Sequence, residues 1–526
     1  MKPIRRTEWA TLILILAILL GAFMRFNPTI LSGFPINDGG MFAVMLDELK
    51  ANHYLLPAFT TYNHLNIPFV YPPLGFYLGD LASSLFGWTA IETLRWIPAF
   101  FSTLSIVAFY LLALRLLKKK YHAAVAALFF ALMPRAYWWY IMGGGLTRAL
   151  GQLFMLLTLA SLVRLYEENR RADILWAGLF GGLAVMSHPE AAVYTLASAL
   201  FLWIMLSRNR TGFINSILVA LIVLVVSAPW WGTAIHYHGI EPLLRGSTTG
   251  QRWVAIFNLF FFTFTEETFA ALIAILGLIG IAYSLYRKQY LLPLWMVVPF
   301  LAAGRSATNP AIIPLAMLAA VGLIDVVFAA FQGSRLDQSD STPERQVPDL
   351  VPAAERNIFI FILIYVMVSA SQFDAGLSNS ILYPPNREAM TWVQKNTLPT
   401  SRFLVLTGDS SVFCDAVSEW FPALSGRQNL TTIQGTEWTQ GPNFANHVWS
   451  TLGVQGCLAN GDASCLDQAV SRSSYDYVYV SKVLRGDGNC KAGTEREFPY
   501  FLERMKKDAG FRTVYETEDV IVFKNQ

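Results

Sequence analysis

Charge is what this chain has least of. Only 14% of its 526 residues are Asp, Glu, Lys or Arg, against about 25% in an average soluble domain. A single water-filled globule is therefore excluded for most of the length. Cysteine is scarcer still: Cys414, Cys457, Cys465 and Cys490 are the whole set, all in the last quarter. Their spacing follows no zinc pattern. An even number confined to one polar region points to one or two disulfides, and so to an oxidising side of a membrane; the alternative is unpaired thiols in a soluble core. If all four pair, three connectivities are open. The net charge of +3 is too small to argue for nucleic acid, so the basic residues matter by position. No small-residue cleavage site follows the run Trp9 to Met24, and that run, behind Lys2, Arg5 and Arg6, reads as an uncleaved first span. No internal repeat is visible.

Apolar sequence is what the chain has in excess, at 54%. Runs able to span lie near 9–25, 95–117, 122–140, 148–165, 173–187, 190–206, 213–232, 269–286, 290–304, 308–331 and 357–373. Several fall short of the roughly 20 residues a perpendicular helix prefers. Segments 68–87 and 253–264 are apolar but Pro-broken or short, and read as interfacial or re-entrant. Charge supports that choice. With Arg5 and Arg6 in the cytoplasm and 68–87 not crossing, the clusters at 118–120, 164–171, 208–210 and 287–288 all fall on the cytoplasmic side. The polar loop 332–356 is then cytoplasmic and flexible. Everything after 373 falls outside, where disulfides form.

The expected architecture is mainly α: a polytopic membrane domain of about eleven spans over 1–373, then a small extracytoplasmic α/β domain over 374–526. In that tail, Arg387 to Asn396 and Phe498 to Met505 read as helices. Phe403 to Leu406 and Tyr475 to Val480 read as strands, and Thr513 to Phe523 as a terminal hairpin.

The candidate chemistry lies in the outer loops. Asp38, within Phe34-Pro-Ile-Asn-Asp-Gly-Gly-Met-Phe42, precedes a helix running to about Ala51. It serves either as that helix's N-cap or as a catalytic acid with room left by Gly39 and Gly40. Tyr71-Pro-Pro-Leu-Gly-Phe-Tyr77 is either a rigid turn or the wall of a lipid-facing groove. Gly143-Gly-Gly-Leu-Thr-Arg148 follows an aromatic cluster; Arg148 either anchors an interfacial belt or offers a fork to phosphate. Ser187-His188-Pro189-Glu190 sits between two spans, where His and Glu are costly unless paired or wet. Glu266 and Glu267 stand at the mouth of another span, either favoured by a helix N-terminus or completing a divalent-metal or acceptor site.

The order of one span, an outer loop with an early Asp, a Pro-Pro-Leu helix and Arg95-Trp-Ile-Pro98 opening the next span resembles the GT-C class of integral membrane glycosyltransferases. That class includes protein O-mannosyltransferases, aminoarabinose transferases and oligosaccharyltransferases, which use sugars carried on polyprenyl phosphates or diphosphates. In the aminoarabinose group the matching stretches read Asp-Glu-Ala and Lys-Pro-Pro-Leu; here they are Asp38-Gly39-Gly40 and Tyr71-Pro72-Pro73-Leu74. The second acid and the lysine are replaced, against a metal held by an acidic pair in this loop. The resemblance implies that Asp38 contacts the acceptor nucleophile. It also implies that Arg305, in Gly304-Arg305 before the stretch Asn309 to Pro314, handles the carrier phosphate. In the tail, Ser418 to Arg427 and Gln434 to Trp438 resemble stretches of prokaryotic membrane proteins with this architecture.

The expectation is thus an inverting transferase of the plasma membrane. Its partners are a polyprenyl-phosphate-linked sugar, a lipid, glycan or protein acceptor, and membrane lipids. The alternatives are a transporter or flippase for lipid-linked glycans, or a non-catalytic scaffold.

Overall fold

The computed structural model describes residues 5–248, 253–260, 262–331, 351–486, 490 and 492–526. Among these, seven helices are long and apolar enough to cross a membrane. They are α1 (Arg6–Ser32), α4 (Ala90–Leu117), α7 (Gly145–Glu168), α9 (Pro189–Leu206), α10 (Arg210–His238), α15 (Thr308–Phe331) and α16 (Ala353–Leu377). Shorter apolar helices complete the bundle: α5 (Lys120–Leu132), α8 (Ala172–Ser187), α12 (Leu272–Tyr286) and the pair α13 (Leu291–Trp295) and α14 (Val298–Ala302). The chain is a multi-pass membrane protein, mainly helical, with a small sheet region near its C-terminus. The expected run near 122–140 breaks because Pro134 disfavours helical backbone at Met133, which is extended at ψ 117°. A turn at Pro134–Ala136 and the four-residue helix α6 (Trp138–Ile141) follow.

Segment 68–87 forms α3 (Leu74–Phe86), whose 13 residues reach about 20 Å, short of a core about 30 Å thick. The segment near 253–264 forms 3-10 turns. Of the expected loop 332–356, residues 332–350 lie outside the described residues, and 353–356 open α16 rather than continuing the loop.

The charge on Arg25 is buried inside the bundle. Arg25 of α1 is fully enclosed; it donates to the Ser102 carbonyl at 3.1 Å and the Ala131 carbonyl at 2.9 Å. Its guanidinium lies 5.0 Å from the Tyr137 ring centre, and the Tyr137 hydroxyl donates to Asp374 at 2.7 Å. Buried charge is tolerated in such a setting only with partners, and these partners tie α1, α4, α5 and α16 together just where the tail departs.

The tail contains α17 (Pro384–Asn396), α18 (Ala416–Ser425), α19 (Glu437–Gln440), α20 (Phe444–Ala459), α21 (Ser464–Ala469) and α22 (Pro499–Lys507). Of these, α17, α18, α20 and α22 pack on a five-stranded sheet of β3 (Arg402–Leu406), β4 (Gln428–Asn429), β5 (Tyr477–Ser481), β8 (Phe511–Glu516) and β9 (Val520–Asn525), in the order β4-β3-β5-β9-β8. The central strands β3 and β5 run parallel, and β8 and β9 close an antiparallel hairpin. Two short ribbons complete the strands: β1 (Phe59–Thr60) with β2 (Ile67–Pro68), and β6 (Val483–Gly486) with β7 (Ala492–Glu497). Both cysteine pairs are bridged, Cys414 to Cys490 and Cys457 to Cys465.

The tail is stitched onto the segment between α1 and α3. The Asn37 amide donates to the Ser380 carbonyl at 2.7 Å, and the Trp420 indole donates to the Asn37 carbonyl at 3.0 Å. Asn63 and Asn429 exchange two hydrogen bonds, at 2.9 and 2.6 Å. These contacts press α18 against α2 (Gly40–Ala51) and the turn before it.

Candidate functional site

Asp38 does not cap α2. Gly39 occupies the cap position at φ 124°, a backbone state suited to glycine, and no side chain caps the helix. The Asp38 carboxylate turns instead to the Gly143–Gly144–Gly145 corner at the start of α7. It accepts from the Gly144 amide at 2.8 Å and from Arg148 at 2.5 Å. The corner's glycines allow this approach. A Cβ on Gly144 would lie 2.6 Å from Asp38 Oδ2, and one on Gly143 would overlap the Asp38 carbonyl. Arg148 is nearly buried, and its guanidinium lies 4.2 Å from the Trp139 ring centre.

Asp38 and Arg148 line a cavity of about 430 Å³, and so do Tyr71, His188, Glu190 and Arg305. Six residues singled out along the sequence, from five separate segments, meet on this one surface. Tyr71 sits between the Phe42, Trp438 and His188 rings, at 4.8, 5.9 and 6.0 Å; burial pushes its phenol above the ordinary range. Glu190, in the first turn of α9, accepts from the Ser306 hydroxyl at 2.8 Å. Arg305 is exposed, its guanidinium 4.8 Å from the Phe413 ring centre; among the described residues it forms no ion pair. The two arginines therefore differ: Arg148 is already neutralised by Asp38, whereas Arg305 faces the cavity with its fork open.

Glu266 and Glu267 lie elsewhere. Glu266 pairs with Arg135 at 2.6 Å. Glu267 accepts from the Ile273 and Ala274 amides at 2.9 and 3.3 Å at the mouth of α12. Among the described residues no three His, Cys, Asp or Glu side chains converge on a point. Of the cavity's acids, Asp38, Glu190 and Glu419 are engaged by protein donors, and no step below runs through a metal.

The tail supplies cavity residues that the sequence did not single out: Phe413, Glu419, Gln434, Glu437 and Trp438. Glu419 Oε1 accepts from the Gly39 amide at 2.8 Å, and Oε2 accepts from the Gln434 side chain at 2.9 Å. Burial, then the charge of Asp38, push the Glu419 carboxyl up to about 8. Burial also raises Glu437. Their only signal in the sequence was the tail's two familiar stretches, Ser418 to Arg427 and Gln434 to Trp438.

A family model described as dolichyl-phosphate-mannose-protein mannosyltransferase matches residues 70–232, which include Tyr71, Arg148, His188 and Glu190. Among curated proteins no sequence matches. Solved structures do match in fold. The archaeal oligosaccharyltransferase AglB from Archaeoglobus fulgidus, in complex with an inhibitory peptide and a dolichol-phosphate, aligns at TM-score 0.56 and 16% identity, over 90% of this chain and 69% of that one. ArnT from Cupriavidus metallidurans bound to undecaprenyl phosphate aligns at 0.53 and 14%, over 99% and 98%. The arabinofuranosyltransferase AftD from Mycobacteria aligns at 0.54 and 16%, over 99% of this chain but 42% of AftD. A helical membrane bundle with a cavity beside Asp38, a mannosyltransferase family match over residues 70–232 and these three neighbours together give this chain the fold of the GT-C membrane glycosyltransferases.

Proposed function

We propose that the protein transfers a sugar from a polyprenyl-phosphate carrier to an acceptor at the outer membrane face. The observation that carries this reading is the pairing of Asp38 with Arg148 and the Gly144 amide on a cavity wall that also bears Arg305, which forms no ion pair among the described residues. The carrier chemistry follows the dolichol-phosphate and undecaprenyl phosphate of the AglB and ArnT complexes. The outward orientation is supported by the charge pattern of the loops and by the two disulfides of the tail.

In this reading the acceptor approaches Asp38, which takes up the nucleophile's proton. The nucleophile's lone pair forms the new bond to the anomeric carbon. The bond from that carbon to the phosphate oxygen breaks with its electron pair, and the lipid phosphate leaves. Arg305 stabilises the charge that grows on the phosphate. Attack opposite the leaving group inverts the anomeric centre. Arg148 and the Gly144 amide hold the Asp38 carboxylate in one orientation, so little ordering remains for the reacting complex. Tyr71 and Trp438 offer flat apolar faces to a sugar or to the first carrier unit.

Asp38→Asn keeps the size and loses the base. The expected result is a folded protein in membranes whose transfer falls by about 10²–10⁴-fold, the usual worth of a general base. Transfer by the purified variant at the wild-type rate overturns the assignment.

A further inference from the structure

We propose that Glu419, carried by the tail, is a positioning residue for Asp38, and that the tail is therefore part of the catalytic machinery rather than an appended module. This rests on the reading of Asp38 given above.

The geometry is specific. The residue after Asp38 donates its amide to the Glu419 carboxyl at 2.8 Å, and Gln434 fixes the other oxygen at 2.9 Å. Gly39 is held at φ 124°. The next glycine is so close to α18 that a Cβ on Gly40 would lie 2.6 Å from the Glu419 carbonyl. The Tyr62 hydroxyl donates to that same carbonyl at 2.6 Å, which locks α18 to the loop from the other side. Asp38 is thus held twice. Arg148 and the Gly144 amide take its carboxylate, and Glu419 takes the backbone immediately after it. Both acids line the same cavity.

Two carboxyls this close do not ionise independently. The groups facing Glu419 are Asp38, which opposes its ionisation, and Arg148, which favours it; Tyr62, with Glu437 beyond it, is a phenol held neutral by burial. Burial and Asp38 win, and Glu419 keeps its proton up to about pH 8. Below that pH Glu419 faces Arg148 without charge. Above it the ionised carboxylate binds the Gly39 amide more strongly but competes with Asp38 for Arg148, drawing the guanidinium off the Asp38 carboxylate. Transfer should therefore fall as pH rises through about 8.

The test uses the full-length protein in detergent, with variants matched for thermal stability. Amide hydrogen exchange across residues 36–46 reads the clamp without any substrate. Glu419→Ala should lose protection there on the order of tenfold or more, the worth of one hydrogen bond to a charged or strongly polar group. Glu419→Gln, which keeps an acceptor for Gly39, should largely restore it. Infrared titration of purified wild type should show a protonated carboxyl persisting to about pH 8 that Glu419→Gln lacks. With a polyprenyl-phosphate mannose donor as probe, wild type should show an alkaline limb near 8, absent in Glu419→Gln. Unchanged exchange in Glu419→Ala, or an unaltered alkaline limb in Glu419→Gln, overturns the proposal. If exchange and infrared behave as stated while wild type consumes no lipid-linked sugar, the clamp stands and the transferase reading fails.

Discussion

Arg148 and Arg305 carry the same charge to the same cavity, yet their surroundings assign them different work. Arg148 is neutralised by Asp38 and stacked over Trp139, so removing it should disorder the carboxylate. Arg305 has no acid partner among the described residues and faces the cavity. A charge-assisted hydrogen bond contributes about 1.5–3 kcal/mol, which corresponds to about 10- to 150-fold in affinity. Arg305→Ala should weaken binding of undecaprenyl phosphate in detergent by that factor. Arg148→Ala should leave carrier affinity closer to wild type and reduce turnover instead. A larger affinity loss for Arg148→Ala reverses the two assignments. At this scale the sequence was informative where a polar side chain sat among apolar neighbours, as with His188, Glu190 and Arg148. It marked Glu419 and Glu437 only as members of two resembling stretches of the tail, because acids in a polar tail are unremarkable until something buries them.

At the scale of elements, the decisive piece is α2 with the turn before it. Its apolar side carries Met41, Phe42 and Met45 into the core, while Gly40 meets α18 backbone to backbone. A methyl there has no flexible neighbour to push aside. Gly40→Ala should cost about 1–3 kcal/mol, as overpacked sites do, and should shift α18 away from Gly39. The expected readouts are a lowered melting temperature and a loss of transfer larger than stability explains. A variant with wild-type melting and wild-type turnover contradicts the packing described here. Element boundaries were approximate: the span expected from about 95 begins at Ala90, behind a capping box of Thr89 and Glu92. They were less legible near 290–304, where the run divides into α13 and α14 around Met296 and Val297, with Pro299 in the second piece. Hydropathy does not register a helix break inside an apolar run.

For the whole molecule, the question with most consequence is which side of the membrane bears the tail. The charge pattern of the loops and the two disulfides support the proposal that it lies outside. Lys506 is exposed near the end of α22. A cysteine placed there by Lys506→Cys should react with an impermeant maleimide in intact cells. Labelling only after lysis would put the tail, and with it the cavity, on the cytoplasmic side.

The amino-acid sequence by itself determined the membrane class, the apolar segments and their approximate ends, two helices and the central strands of the tail, and six polar residues that meet at one cavity. Those are local or solvation properties: periodicity over a few residues, and charge where the surroundings are apolar. Only the tertiary structure decided that Arg148 is occupied by an acid 110 positions away, and that a tail carboxyl 380 positions beyond Gly39 grips the turn that carries Asp38. It also chose one of three disulfide pairings. Which distant partner neutralises a charge depends on how the helices pack and where the tail docks, and no local pattern in the chain encodes that.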